Sequence, residues 1–132
     1  MKRGVLRKSI LTMGLLTIMG ATTAFAAYGS YGTAWVNSST SGYKMHSNIS
    51  SKKTTIGTGW SAEVTSKTMW TTPSGKLVNS NGASRSNATN LKVTTNYGSG
   101  NSGSSGYTYY IGIKPAWNQT GSDAIRLRIN AD

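Results

Sequence analysis

The stretch Ala-Ile-Arg-Leu-Arg-Ile-Asn at residues 124–130 decides the fold class of this 132-residue chain. Its aliphatic residues alternate with Arg126 and Arg128. Successive side chains of an extended strand point to opposite sides, so the aliphatic residues would share one side and the arginines the other. The pattern therefore predicts a β-strand with one buried side and one basic side that faces solvent.

The same alternation recurs elsewhere in the chain. In residues 107–114, Tyr107, Tyr109, Ile111 and Ile113 fall on one side of a predicted strand. Such repeated alternation is typical of half-buried strands and does not suit an amphipathic helix. Further segments with this period are residues 60–70 and 91–95, with weaker candidates at 31–37, 43–49 and 52–58.

Turn-forming residues separate these segments. Thr72–Gly75 carries proline and glycine in the order of a type I turn, and Asn79–Gly82 supplies residues that tolerate positive φ. Residues 98–106, which are mostly Gly and Ser, predict a flexible loop. Short strands, frequent turns and the lack of an amphipathic helix after Ala27 predict an all-β fold. We expect a small antiparallel β-sandwich or barrel of about seven short strands.

The N-terminal segment has the features of a cleavable signal peptide. Four basic residues precede an apolar run at 10–20, and Ala24 and Ala26 then supply the small residues that signal peptidase accepts. The apolar run is shorter than the roughly 20 residues that a transmembrane helix needs. We therefore expect residues 1–26 to be a signal peptide, residues 27–132 to be one exported β-rich domain, and the protein to be secreted.

Composition restricts the partners of the exported domain. It lacks cysteine, so disulfides cannot supplement its core. It carries ten Lys or Arg residues against Glu63, Asp123 and Asp132, a net charge of +7. The positive electrostatic field of such a domain attracts anionic partners: envelope polymers, glycans or membrane surfaces. The same charge could instead serve only to keep the protein soluble. We do not expect a nucleic-acid partner, and the sequence does not indicate an oligomeric state.

Enzymatic function is not expected, because the side chains that carry catalysis are scarce. The exported domain has one histidine, His46, three acids and no thiol. No nucleophile elbow, phosphate-binding glycine loop or set of metal ligands is present. A glycosidase would need two of the three acids to converge, and one of those is Asp132. The sequence therefore predicts no catalytic residue, no metal and no cofactor.

Exposed aromatic and basic residues are the candidates for binding. Trp60, Trp70 and Trp117 border predicted turns, where an indole could stack on a sugar ring or meet a membrane interface; in a chain with few aliphatic residues, tryptophans more often belong to the core. Four basic residues on predicted strands could share one sheet face, either as an anion-binding surface or as an ordinary solvated face. They are Lys92, Lys114, Arg126 and Arg128.

Three functional hypotheses fit these features. The first is a basic binding module that contacts anionic cell-envelope polymers or glycans. The second is a secreted antagonistic protein of the bacteriocin kind, which shares the small size, export signal, positive charge and richness in Gly, Ser, Asn and aromatic residues. The third is a matrix or structural protein that assembles through the edges of its β-sheets. No motif of the sequence selects among the three.

Overall fold

A computed structural model describes residues 27–132 as eight β-strands without a helix. The predicted signal peptide, residues 1–26, lies outside the described residues. Within the described range, no helix is long and apolar enough to cross a membrane. The strands are β1 (Gly32–Asn37), β2 (Lys44–Lys52), β3 (Trp60–Lys67), β4 (Ser74–Val78), β5 (Thr89–Asn90), β6 (Thr95–Gly98), β7 (Thr108–Lys114) and β8 (Ser122–Asn130).

The strands form two antiparallel four-stranded sheets. Sheet A has the order β1-β8-β3-β6, and sheet B has the order β2-β7-β4-β5. The prediction of an all-β antiparallel fold is confirmed. One apolar cluster joins the two sheets in a β-sandwich-like arrangement, with core residues on both inner faces. It contains Ala34, Val36, Ile49, Trp60, Ala62, Val64, Met69, Leu77, Leu91, Tyr109, Ile111, Ile113, Ile125, Leu127, Ile129 and Ala131.

Strand β8 shows why the alternating stretch decides the fold. It lies between β1 and β3 in sheet A. Its three aliphatic side chains, Ile125, Leu127 and Ile129, are fully buried against sheet B, whereas Arg126 and Arg128 point away from the core. Burial of each aliphatic side chain stabilises the folded state by about 1.5–3 kcal/mol, so this strand contributes strongly to the stability of the core.

Side-chain hydrogen bonds link the two sheets along both of their open edges. On one side, Asn48 of β2 donates from Nδ2 to the carbonyl oxygen of Thr33 in β1 at 3.0 Å. On the other, the hydroxyl of Thr89 in β5 donates to the carbonyl oxygen of Tyr97 in β6 at 3.3 Å. Each terminal strand therefore lies beside a terminal strand of the other sheet, which leaves less free backbone for pairing with another chain.

Two predicted strands are wrong. Of the predicted strand 52–58, residues 53–58 lie outside the sheet: Thr54 and Thr55 donate hydrogen bonds to the carboxylate of Asp132, and Ile56 is 95 % exposed. Of the predicted strand 91–95, residues 91–94 form a tight connection, and Thr95 begins β6. In that connection the side chain of Asn96 accepts from the amide of Lys92 and donates to its carbonyl oxygen. Strand β4, which the sequence did not predict, begins at Ser74, so Ser74 and Gly75 lie in a strand and the predicted turn Thr72–Gly75 is wrong at these two residues.

Antiparallel pairing brings alternate connections to the same end of the fold. The β1–β2, β3–β4, β5–β6 and β7–β8 connections lie at one end, which we call the upper end. The other connections lie at the lower end, together with Asp132. Three of the predicted binding residues, Trp70, Trp117 and Lys92, lie on upper-end connections, and Lys114 ends β7 beside them. Loops held by a rigid sheet are where binding surfaces commonly form.

Candidate tryptophan groove

A groove of about 600 Å³ opens on sheet B at the upper end of the fold. We call it the tryptophan groove. Its walls come from the β3–β4 and β7–β8 connections, and its floor comes from the adjoining ends of β4, β5 and β7 together with Tyr43. The lining residues are Tyr43, Trp70, Thr71, Thr72, Ser74, Asn90, Lys114, Pro115, Ala116, Trp117 and Asn118.

The indoles of Trp70 and Trp117 are exposed although their loops are firmly held. Trp70 is 75 % exposed and lies between Met69 and Thr71, both of which are buried. Lys67 donates from Nζ to the carbonyl oxygen of Thr71 at 2.5 Å, which closes this turn. Because the backbone of this turn is held, a ligand that covers the Trp70 indole needs little reordering of the loop.

The second loop is held in a comparable way. Trp117 is 95 % exposed, and its turn is closed by the amide of Gln119, which donates to the carbonyl oxygen of Ala116 at 3.1 Å. The buried side chain of Gln119 donates from Nε2 to the carbonyl oxygen of Val36 at 2.7 Å. This bond ties the β7–β8 connection, which carries Trp117, to sheet A.

Tyr43 connects the floor of the groove with the basic residues of sheet B. Its hydroxyl shares a hydrogen bond of 3.0 Å with the hydroxyl of Ser74, which pairs with Lys114 across β4 and β7. The Nζ atom of Lys76 lies 4.2 Å from the centre of the Tyr43 ring. At that distance the cation is attracted by the face of the ring. The floor therefore combines an aromatic ring, hydroxyls and the ammonium group of Lys114, and the ammonium group of Lys76 lies against the Tyr43 ring.

Charge is divided unequally between the two sheets. The carboxylate side chains of residues 27–132 lie on sheet A or directly after it: Glu63 in β3, Asp123 in β8 and Asp132 beyond β8. The strands of sheet B carry no carboxylate and include Lys44, Lys52, Lys76 and Lys114. The uncompensated positive charge of the described residues is therefore concentrated on the sheet that bears the groove.

The predicted common basic face does not form. Lys114 ends β7 in sheet B, whereas Arg126 and Arg128 lie on β8 in sheet A, and Lys92 lies on the β5–β6 connection. Strands β7 and β8 are adjacent in sequence, but their outer surfaces point to opposite sides of the fold. Of these four basic residues, Lys114 lines the groove.

Trp60 also differs from its prediction. It is 1 % exposed and belongs to the core, so it offers no surface for stacking. Its side chain lies over Gly98 of β6, where the lack of a Cβ atom leaves space for the indole. The structure thus separates the three predicted tryptophans into one core residue and two residues of the groove.

Arg128 on sheet A is partnered within the protein. Its Nε donates to Oε2 of Glu63 at 2.7 Å, and its guanidinium lies 4.4 and 4.6 Å from the ring centres of Tyr28 and Tyr31. The Tyr31 hydroxyl donates to Oε1 of Glu63 at 2.8 Å. The hydrogen bonds from Tyr31 and then from Arg128 lower the pKa of Glu63, and the same bond to Glu63 raises the pKa of Tyr31. This charge is locally compensated, in contrast to Lys114.

Several groove residues were not identified from the sequence. Tyr43, Ser74, Asn90 and Asn118 reach the groove from separate parts of the chain, and only the sheet register brings them together. Asn118 beside Trp117 is the one local signal, because an amide next to an indole can hydrogen-bond a ligand that the ring contacts.

The groove can stack on a ligand and hydrogen-bond with it. Its lining supplies indoles, hydroxyls, amides and one ammonium group, without a carboxylate or an imidazole to act as general acid or base. His46 is half-buried on β2 and is not part of the lining. Within residues 27–132, no group of three or more His, Cys, Asp or Glu residues could hold a metal ion. Comparison of the chain with protein-family models, with curated proteins and with solved structures finds no match.

Proposed function

We propose that this protein is a small secreted binding module, without enzymatic activity, that holds an anionic cell-envelope polymer or glycan in the tryptophan groove. The proposal includes export through residues 1–26 as a cleaved signal peptide. One observation carries it. Two exposed indoles, Trp70 and Trp117, flank a groove that contains Lys114 and lies on a sheet without carboxylates.

The chemistry of the lining favours a carbohydrate chain over a purely apolar ligand. Indole faces provide large rigid contact areas for the apolar faces of sugar rings. The side chains of Asn90, Asn118 and Ser74 supply donors and acceptors for ring hydroxyls. The volume of about 600 Å³ falls within the range of roughly 300–1,000 Å³ that is usual for ligand sites.

The positive charge in and around the groove favours an anionic carbohydrate polymer over a neutral one. Lys114 in the groove and Lys76 beside Tyr43 place two ammonium groups next to the aromatic floor. A net charge of +7 on the exported domain speeds the approach of anions, and screening by salt weakens that effect. Binding by this groove should therefore have two components, one that depends on the indoles and one that depends on salt.

Sedimentation with washed cell envelopes tests the proposal. We expect the exported protein to sediment with envelopes, and the bound fraction to fall as sodium chloride is raised. Trp70→Ala and Trp117→Ala should each weaken binding about tenfold, as is usual for a central aromatic contact. Trp35→Ala is the matched control, because Trp35 is 64 % exposed on the outer face of sheet A, away from the groove.

Four results would contradict the proposal. If binding does not change with salt concentration, it is not electrostatic. If all three tryptophan variants lose the same affinity, the groove is not the binding site. Leakage of vesicles made with anionic lipid, without envelope binding, would favour the bacteriocin-like hypothesis. Polymers that form with rising protein concentration would favour a matrix protein.

A further inference from the structure

A second cleft, of about 310 Å³, lies at the lower end of sheet B. It contains one cation, Arg85, surrounded by hydroxyl and amide side chains, and again no carboxylate. The ring of Tyr107 stands at its edge and is 66 % exposed. The lining residues are Asn79, Ser80, Arg85, Ser104, Tyr107, Thr108 and Tyr109. An exposed aromatic ring beside a cation and several hydroxyls repeats, on a smaller scale, the composition of the tryptophan groove.

The two clefts lie at opposite ends of the same pair of strands. Strand β7 begins at Thr108 in the second cleft and ends at Lys114 in the tryptophan groove. Strand β4 runs beside it, with Ser74 opposite Lys114 and Val78 opposite Tyr110. At about 3.3 Å per residue, the length of β7 separates the two clefts by roughly 20 Å.

The surface between the clefts is aromatic and basic. Gly112, in the outward-facing row of β7, is covered by Val78 and Tyr43, since a Cβ atom there would contact them at 3.0 and 3.5 Å, and Tyr110 lies in the same row. Lys76 pairs with Gly112, and Lys52 pairs with Thr108, so each follows the outward-facing row of β7. Ammonium groups therefore accompany the path from one cleft to the other.

We infer that the two clefts are the end subsites of one track for a linear anionic glycan, which crosses the outer surface of sheet B from the tryptophan groove to Arg85. This inference rests on the proposed function and extends it from one groove to a polymer several sugar units long. The guanidinium of Arg85 offers a planar pair of donors that suits a carboxylate or phosphate on the distal unit. A polymer that occupies both clefts gains affinity, because the second contact is intramolecular.

Oligogalacturonates, which carry one carboxylate on each ring, test the track when a disaccharide is compared with an octasaccharide. Isothermal titration should give an affinity at least about tenfold higher for the octasaccharide, since that probe can engage both clefts. Arg85→Ala should abolish most of this gain and weaken the binding of the disaccharide much less, because the disaccharide can bind in the tryptophan groove alone. Trp117→Ala should weaken the binding of both probes.

Arg126→Ala is the matched control, because it removes the same charge from the outer face of sheet A. Thermal unfolding of each variant confirms that the fold is retained. Equal losses in Arg85→Ala and Arg126→Ala would mean that only net charge matters, and the track would be wrong.

The remaining outcomes separate the track from the proposed function. If both probes bind equally well, or if Arg85→Ala has no effect while Trp117→Ala does, the track is wrong and the groove remains a glycan site. If neither probe binds, the assignment of an anionic glycan to the groove is wrong, and so is the proposed track.

Discussion

Arg128 and Glu63 form an ion pair across strands β8 and β3, with Nε 2.7 Å from Oε2. This pair, together with the hydrogen bond from Tyr31, holds the pKa of Glu63 below its ordinary value of 4.5. A carboxylate whose pKa is lower in the folded state stabilises the protein above its unfolded pKa and loses that contribution as pH falls through the folded pKa. We therefore expect the melting temperature to fall on acidification from about pH 5 to pH 2.

Glu63→Gln tests this contribution. The variant should melt below the parent protein at neutral pH and show a smaller loss on acidification, as measured by circular dichroism at several pH values. Asp132 also has a lowered pKa, because hydrogen bonds from Thr54 and Thr55 together outweigh its desolvation, so part of the acid sensitivity should remain. Parallel melting curves for the variant and the parent across this range would show that Glu63 does not contribute.

His46 should add a second pH dependence near neutrality. Burial, and then the charge of Lys44, lower its pKa from the ordinary value of 6.5. The unfolded state therefore binds the proton more readily than the folded state, so stability falls as pH drops from about 7 through the folded pKa. His46→Gln should flatten the melting temperature across that window. An equally steep dependence in the variant would place its origin elsewhere.

Gly98→Ala should destabilise the fold. A Cβ atom at this position would overlap the buried indole of Trp60 on the adjacent strand. Overpacking of this kind costs about 1–3 kcal/mol in the free energy of unfolding. Chemical denaturation should show this loss, whereas Gly57→Ala, at an exposed loop position where the nearest neighbour is 3.4 Å away, should change stability little. Similar values for both variants would argue against a tight Trp60 site.

Lys53 should be more important for stability than its neighbour Lys52. It is fully buried, and its Nζ donates to the carbonyl oxygens of Gly57 at 2.6 Å and Ala131 at 3.3 Å. Lys53→Ala removes these bonds and leaves a cavity, so we expect a loss of about 2–4 kcal/mol. Lys52→Ala, at an exposed position, should stay within about 0.5 kcal/mol. Denaturant titration measures both values, and an equal effect would contradict the role assigned to Lys53.

The alternation of apolar and polar residues was sufficient to predict the strands that have one apolar and one polar side. The stretches that became β7 and β8 alternate without interruption, and both were identified within two residues of their ends. Strand β4 was missed because Gly75 occupies a core position, where a Cβ atom would contact Leu91 at 2.9 Å and Ile111 at 3.1 Å. A glycine in the buried row hides the alternation that would otherwise reveal a strand.

The location of the groove could not be predicted, because it depends on which sheet each strand joins. The sequence named Trp70, Trp117 and Lys114, but it grouped Lys114 with Arg126 on one face. A chain that crosses from sheet B to sheet A between β7 and β8 places these two residues on opposite surfaces. The burial of Trp60 has the same origin, since its inner position in β3 is fixed by pairing with β6 and β8.

The placement of Glu63, Asp123 and Asp132 on or just after sheet A gives the molecule a permanent electric dipole directed from sheet A towards sheet B. Near a negatively charged surface such a dipole produces a torque, so the molecule arrives with a preferred orientation. Sheet B would meet the surface first, and Trp35 and Tyr97, exposed on the outer face of sheet A, would point towards the medium. A layer of adsorbed molecules would then present these two rings to whatever approaches next.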